Sequence, residues 1–240
     1  CIRDRLSTTS VREQLSIPHD AFVLTTIGTI CRRKRQKWAL HAVRHLVKQG
    51  LDAYYVLIGA PSPRGGQGDP EYVVEFMAAA RNLNLQSRLR LVPFGANVAL
   101  YLAVADLHCS SSSLEAYPLN TLEAMRLGVP VVATAAGGTE EQFPRGLPGL
   151  VRNASSSKAF LEAVTRASAR RGDRLRGDGQ KLREAVAAPA ADRFATALRD
   201  AFSFRRTRPL VSFVVRAYWR QMDTEPFTLR KTLQALRRLR

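Results

Sequence analysis

Short apolar segments that alternate with helical periodicities constrain this chain more than any other feature of its sequence. Most of these segments are rich in β-branched or aromatic residues, and several end at a glycine. Short buried strands separated by helices are typical of parallel sheets that are covered on both faces. The sequence therefore predicts an α/β fold with a Rossmann-like, doubly wound parallel sheet. The predicted strands cover residues 21–30, 52–59, 87–95, 107–110, 128–134 and 150–151.

The segments between these strands carry the periodicity and the boundary residues of helices. After residues 32–37, apolar side chains recur at the spacing of a broad buried helix face, and Gly50 stands where a helix end favours glycine. Ligands of doubly wound sheets bind at the carboxyl ends of the strands, so residues there are the candidate site. Further helices are predicted at 9–15, 71–82, 97–104, from about Pro118, at 157–169, and at 181–201 with an interruption at Pro189.

Residues 110–125 combine a strand end, a polar loop and the start of a helix. Pro118 suits the first helical turn, and Leu119, Asn120 and Thr121 then present backbone N–H groups that have no acceptor within the helix. These donors and the positive end of the helix dipole favour an anion such as a phosphate. We therefore expect an anion-binding site at this helix start.

Two carboxylates, Glu115 and Glu123, lie eight positions apart in the same segment. One is in the loop and the other in the first turns of the helix, so both can approach a ligand at the helix start. A carboxylate accepts hydrogen bonds from paired hydroxyls such as those of a ribose. The alternative is that both, with Ser112, only cap and solvate a surface helix.

The basic run RRKRQK at residues 32–37 follows the first predicted strand and precedes a helix. It is compatible with a nuclear-localisation or nucleic-acid patch, or with a solvated helix start. However, cations are unfavourable at the positive end of a helix unless an anion compensates them. A bound anion is therefore the third interpretation.

The stretch ADLHCSSSSLEAYPLNTLEAMRLGVPVVATAAGG, residues 105–138, resembles the donor-binding half of the group 1 retaining glycosyltransferases of the GT-B fold. That family carries two glutamates separated by seven residues, and here they are Glu115 and Glu123. The resemblance implies that Glu115 faces the transferred sugar and the reaction centre as the catalytic carboxylate. It implies that Glu123 binds the ribose of the nucleotide. Substrate contacts are likewise implied for Tyr117 and for the helix start at Leu119, Asn120 and Thr121.

Two further segments resemble the same family. In GTICRRKRQKWALHAV, residues 28–43, the family's basic pair falls on Arg33 and Lys34, which would hold the donor diphosphate beside Gly28. Arg would bind it as a bidentate fork and Lys as a point charge. The turn containing Gly138 matches a double-glycine turn whose amides lie close to the donor.

The match departs from the family pattern at several positions. Thr29 replaces a frequent Arg, Arg35 replaces a Gly, and Glu140 replaces a Pro before the matching Glu141. The resemblance also implies that the third strand ends near the nucleotide base. Pro93 and Phe94 are therefore candidates for base contacts, although Phe94 could equally be a core residue.

Composition adds a competing hypothesis. Lys and Arg number 37 against 20 Asp and Glu, a net charge of +17, which suits nucleic acid, an anionic membrane surface or phosphorylated substrates. The three cysteines and four histidines have no metal-ligand spacing, and no run reaches the roughly 20 apolar residues of a membrane span. We therefore expect no metal site, free thiols and a cytoplasmic protein.

Domain organisation follows from these matches. Residues 1–203 form the expected donor-binding domain, with a core at about 20–170, and 204–208 form a basic linker. Residues 209–240 resemble the start of a GT-A family 2 glycosyltransferase. The chain lacks an initiator Met, which suggests a fragment, a processed form or an incomplete gene model. The family's acceptor-binding domain, which would precede this half, is expected to be missing.

The sequence thus predicts a glycosyltransferase that moves a sugar from a nucleoside-diphosphate carrier to an unknown acceptor with retention. Its partners would be the nucleotide-sugar donor, the acceptor and the missing acceptor-binding domain, with no specific nucleic acid. No cofactor is expected beyond the nucleotide sugar as co-substrate. The alternative is a basic α/β module without catalysis that binds polyanions such as nucleic acid or a membrane surface.

Overall fold

The computed structural model describes residues 8–62, 65–66, 68–143 and 146–187. The strands are β1 (Phe22–Ile27), β2 (Ala53–Ala60), β3 (Leu89–Pro93), β4 (Leu107–Ser110), β5 (Val131–Thr134) and β6 (Leu150–Val151). The helices are α1 (Thr8–Gln14), α2 (Lys37–Lys48), α3 (Pro70–Asn82), α4 (Val98–Ala103), α5 (Leu119–Arg126), α6 (Ser157–Ala169) and α7 (Asp173–Ala187). Short 3₁₀ turns cover Arg32–Lys34, Gln86–Arg88 and Gly137–Gln142.

The six strands form one parallel sheet in the order β3-β2-β1-β4-β5-β6. β1 pairs with β2 on one side and with β4 on the other, so the strand order reverses between β1 and β4. This is the doubly wound arrangement that the sequence predicted, and its switch point lies between those two strands. The carboxyl ends of β1 and β4 therefore meet at the place where such sheets bind ligands.

Helices cover both faces of the sheet because side chains alternate along each strand. Phe22 and Leu24 of β1 join the core beneath α2, α3 and α6. Val23, between them, faces the opposite core with residues of α1 and with Val104, which follows α4. A third cluster packs α5 and α7 against β5. The strands inside the sheet thus bury both faces, as expected for a parallel sheet, whereas the edge strand β3 exposes Leu91 and Pro93.

The helix boundaries follow their local sequence. Asp69 accepts a hydrogen bond from the amide of Tyr72 (3.1 Å) at the start of α3, and Ser156 accepts one from Ala159 (3.0 Å) at the start of α6. Gly50 follows α2 with a φ of 84°, the left-handed conformation that favours glycine. The predicted glycine stop of α2 is therefore confirmed.

Two predicted helix starts are wrong, and β1, β3 and β5 are shorter than the predicted strands. Pro118 is the N-cap of α5, with ψ at 110°, and not a residue of its first turn. The last described helix begins at Asp173, whereas the sequence predicted a start at 181. Its predicted continuation beyond 187, the linker at 204–208 and the tail at 209–240 lie outside the described residues. In the described part of the chain, no helix is long and apolar enough to cross a membrane.

Candidate active site

The candidate site lies at the switch point, where the turn after β1 meets the loop after β4. We call residues 32–37 the basic turn and residues 111–117 the polar loop. Gly28 directly follows β1 with a φ of 137°, and a Cβ built there would lie 3.2 Å from Cε of Lys34. A glycine at this position therefore lets the Lys34 side chain cross the end of the strand.

One oxygen of Glu115 holds the basic turn and the polar loop together. Its Oε1 atom lies 2.6 Å from Nζ of Lys34 and 3.0 Å from the guanidinium of Arg33. The hydroxyl of Ser112 donates to the same oxygen at 2.6 Å. The predicted basic pair and the predicted catalytic carboxylate are thus in direct contact, 81 residues apart in sequence.

These contacts keep Glu115 ionised at neutral pH. Partial burial alone would raise the pKa of its carboxyl group. Hydrogen bonds from Lys34 and Ser112, with the charges of Lys34 and Arg33, outweigh that effect and hold the pKa below its ordinary value. The site therefore carries two cations and one anion in the ligand-free protein.

Hydrogen bonds to backbone carbonyls fix the basic turn and the polar loop in place. The amide of Ser113 donates to the carbonyl of Arg33 (2.8 Å), and the hydroxyl of Ser111 donates to the carbonyl of Lys34 (2.8 Å). From β5, the hydroxyl of Thr134 donates to the carbonyl of Ser112 at 2.6 Å. The geometry around Glu115 thus rests on three strands and not on one flexible loop.

The start of α5 is tied to the end of β1. The side-chain amide of Asn120 donates to the carbonyl of Ile27 (2.9 Å), and its oxygen accepts from the amide of Thr121 (3.0 Å). The sequence predicted that the Thr121 amide is available to a ligand, but in the structure this amide already donates to the Asn120 side chain. Within the described residues, the amides of Leu119 and Asn120 have no such acceptor. Tyr117 and Leu119 also pack partly against the core under α5.

The double-glycine turn, residues 137–142, closes over the polar loop. The amide of Gly138 donates to the carbonyl of Glu115 (3.0 Å). A Cβ built at Gly138 would lie 1.9 Å from the carbonyl oxygen of Ala116, and one at Gly137 would lie 2.1 Å from that of Glu115. Both glycines are therefore required by close backbone approach, and the Gly138 amide orients the polar loop.

Glu123 lies further along α5, and its environment differs from that of Glu115. Its side chain is half-buried, and burial raises the pKa of its carboxyl group to about 7. No side chain of the described residues hydrogen-bonds or ion-pairs with this carboxyl group. Glu123 is therefore not part of the Glu115 cluster, and its polar atoms are available to a ligand.

Three features of the site went unrecognised in the sequence. Ser112 was considered only as a helix cap, yet it donates to Glu115. Gln142 is buried and donates to the carbonyl of Pro118 (3.0 Å), linking the double-glycine turn to the start of α5. Arg35 has a φ of 50°, a left-handed conformation that glycine adopts more readily than other residues. Only the last has a signal in the sequence, because Arg35 is a departure from a glycine in the family pattern.

The guanidinium of Arg35 is itself well placed despite that backbone conformation. It lies 4.8 Å from the ring centroid of Trp38 and donates to the carbonyl of Ala154 at 2.7 Å. Arg35 therefore joins the basic turn to the loop after β6, which offsets the cost of a left-handed non-glycine residue.

The candidate base contacts lie at the exposed end of β3. Phe94 is 44% exposed, so the alternative that it is a core residue is wrong. Gly66 passes closely over it, because a Cβ built at Gly66 would lie 2.6 Å from Cβ of Phe94. Pro93 is also exposed.

Among the described residues, no three His, Cys, Asp or Glu side chains form a group that could hold a metal ion.

Comparison with known proteins adds an independent view of this fold. The family profile described as "Glycosyl transferases group 1" matches residues 7–184. The chain is 30% identical over 212 residues to D-inositol 3-phosphate glycosyltransferase 1 of Catenulispora acidiphila, covering 82% of this chain and 49% of that protein. This chain therefore spans about half the length of the curated relatives it matches.

Two solved structures illustrate the similarity in fold. Anabaena HepE, in complex with UDP and glucose, has a TM-score of 0.64 at 23% identity, covering 75% of this chain and 47% of that one. The C-terminal domain of the group 1 protein LpcC from Francisella tularensis has a TM-score of 0.62 at 22% identity. That alignment covers 75% of this chain and 91% of the isolated domain. The described fold is thus that of one half of a GT-B protein, and the chain belongs to the group 1 glycosyltransferase family.

Proposed function

We propose that this chain is the donor-binding half of a retaining glycosyltransferase that transfers a sugar from a nucleoside-diphosphate carrier to an acceptor. The observation that carries the proposal is the cluster of Arg33, Lys34 and Glu115 at the β1/β4 switch point, beside the start of α5. A phosphorylated sugar needs cations for its phosphates and acceptors for its hydroxyls. This cluster supplies both within one hydrogen-bonded unit.

The basic pair would act chiefly on the leaving group. As the bond between sugar and diphosphate breaks, negative charge grows on the diphosphate, and fixed cations stabilise the transition state more than the ground state. Lys34 is mostly buried, with 15% of its side chain exposed, and Arg33 is more open at 47%. Lys34 therefore supplies a held charge and Arg33 an adaptable fork. The amides of Leu119 and Asn120 would add to the same positive field.

The two glutamates would recognise the rest of the donor. Glu115 would accept hydrogen bonds from hydroxyls of the transferred sugar, close to the reaction centre. Glu123, whose carboxyl group has no described internal partner, would accept hydrogen bonds from the ribose. Contacts of Tyr117, Thr121, Gly28 and Gly138 with the donor belong to the same proposal, although the amides of Thr121 and Gly138 already have acceptors within the protein.

The comparisons support a nucleotide-sugar donor. HepE is described with UDP, with UDP and glucose, and with UDP-glucose, and the curated relatives carry glycosyltransferase names. In this proposal the acceptor is unidentified and the acceptor-binding domain of the fold supplies the second wall of the cleft. A cytoplasmic location and the absence of any cofactor beyond the nucleotide sugar are part of the same proposal.

Calorimetry with UDP, GDP, ADP and their glucose conjugates tests the proposal. We expect selective binding of one nucleotide, and we expect Lys34→Ala and Glu123→Ala each to weaken it by about tenfold or more. Lys158→Ala, which removes an exposed charge at the start of α6, is the matched control and should bind normally. Polyanion binding that falls steeply with salt and ignores both site variants would instead support the basic-module hypothesis.

A further inference from the structure

Two hydrogen-bond donors and the ion-paired guanidinium of Arg33 converge on the same oxygen of Glu115. Nζ of Lys34, the guanidinium of Arg33 and the hydroxyl of Ser112 lie 2.6, 3.0 and 2.6 Å from Oε1. No described residue is bonded to the other oxygen, Oε2. One carboxylate oxygen thus contacts two cations and a hydroxyl, and the same groups would bind a phosphate oxygen.

The Lys34–Glu115 pair is too sheltered to be treated as a surface salt bridge. Side-chain exposure is 15% for Lys34 and 10% for Glu115. Water screens such a pair less than an exposed one, so the pair is stronger than the average surface ion pair. A diphosphate that binds Lys34 must therefore displace Glu115 or share the cation with it.

Hydrogen bonds from neighbouring segments also hold Glu115 in position. Ser112, which donates to Oε1, is buried and is held in turn by Thr134 through its carbonyl. Gly138 holds the carbonyl of Glu115 itself. The carboxylate is therefore directed at the basic pair by its surroundings and does not reach it by chance.

We propose that Glu115 is an internal competitor for the diphosphate site, which makes the site discriminate the intact donor from the bare nucleoside diphosphate. This inference rests on the proposed function. When a bare diphosphate binds, Glu115 loses its cations and gains nothing. When an intact donor binds, the displaced carboxylate accepts hydrogen bonds from the sugar. The spent product is therefore held less tightly than the donor, and release of the product is favoured.

The experiment compares wild type with Glu115→Gln by calorimetry, using inorganic pyrophosphate and the nucleotide found to bind, with and without its glucose. Gln has nearly the same shape but carries no charge to compete. We expect it to bind pyrophosphate and the bare nucleotide about five- to tenfold more tightly. Affinity for the nucleotide sugar should rise less or fall, so the preference for intact donor shrinks.

Two variants separate this effect from general electrostatics. Glu140→Gln removes the same charge from the double-glycine turn, where Glu140 pairs with Arg152 at 2.6 Å and is 53% exposed. It should change pyrophosphate affinity by less than twofold. In Glu115→Gln, a second change of Lys34→Ala should abolish the gain, because the gain depends on the freed ammonium.

The outcomes distinguish the two claims. Binding that requires Lys34 but is unchanged or weakened in Glu115→Gln would overturn the competitor and leave the donor site standing. An equal gain in Glu140→Gln would also overturn it, since net charge alone would then explain the effect. Absence of binding in folded wild type and folded Glu115→Gln would overturn the proposed function and the competitor together.

Discussion

Replacing Gly138 with Ala tests how closely the double-glycine turn packs on the polar loop. The new Cβ would lie 1.9 Å from the carbonyl oxygen of Ala116, whereas real Cβ contacts essentially never fall below 3.0 Å. One of the two backbones must therefore move by about 1 Å. Neither moves freely, since the Gly138 amide is bonded to the carbonyl of Glu115 and Gln142 anchors the far end of the turn to Pro118.

The magnitude follows from two costs. Overpacking of a well-filled site costs roughly 1–3 kcal/mol, and losing the Gly138 hydrogen bond costs about 1 kcal/mol more. We therefore expect Gly138→Ala to lower the free energy of unfolding by about 2–4 kcal/mol. For a chain of this size, each kcal/mol lowers the melting temperature by about 2–4 °C, so the total shift is about 4–16 °C.

Gly177→Ala is the matched control and should act in the opposite direction. Gly177 lies within α7, is exposed, and has no atom within 4 Å of a Cβ built on it. Alanine there gains helix propensity of about 0.5–1 kcal/mol without a clash. Urea unfolding followed by circular dichroism measures both variants. If Gly138→Ala unfolds within about 0.5 kcal/mol of wild type, the close backbone approach at the site is refuted.

Three further predictions concern single side chains of the site. Burial raises the pKa of Glu123 to about 7, so the folded protein favours the neutral form of this side chain. The contribution of the neutral form to the free energy of unfolding is therefore complete below the pKa of the unfolded chain and is lost as the pH rises through 7. In urea titrations, Glu123→Gln should therefore raise the free energy of unfolding by about 1–3 kcal/mol at pH 8 and leave it nearly unchanged at pH 4. An equal effect at the two pH values would contradict this pH dependence. Asn120→Ala removes the bond to the carbonyl of Ile27 and should cost about 1–3 kcal/mol in the same assay, with no loss counting against the proposed tie between α5 and β1. Thr134→Val keeps the side-chain shape but leaves the carbonyl of Ser112 without its donor, which should cost about 1–3 kcal/mol by thermal melts; an unchanged melting temperature would show that this bond is dispensable.

The sheet was predictable because most residues of its strands are apolar and buried, with the edge strand β3 as the most exposed of them. Local composition also marked the end of α2, through the glycine that follows it. The start of α7 was missed because Gly177 and Gly179 lower its local helix propensity. Tertiary packing explains Gly179, since a Cβ there would lie 2.1 Å from the carbonyl oxygen of Gly128. A glycine that weakens the isolated helix is therefore what allows it to pack beside α5.

The site residues could be singled out from the sequence, but not their contacts. Resemblance to the family indicated Arg33, Lys34 and Glu115 one by one, and helix chemistry indicated the start of α5. That the Thr121 amide is already bonded, and that the Gly138 amide serves the backbone of the polar loop, could not be predicted. Both depend on side chains and turns meeting from distant parts of the chain.

By itself, the sequence determined which segments are strands and helices, since hydrophobic periodicity and turn residues act over a few neighbouring positions. The tertiary structure decided which strand ends are adjacent, because parallel pairing joins segments far apart and no local preference encodes it. Only the pairing of β1 with β4 brings Lys34 and Ser112 to the same oxygen of Glu115. The local sequence thus determined which residues are available for the site, and the order of the strands determined which of them are in contact.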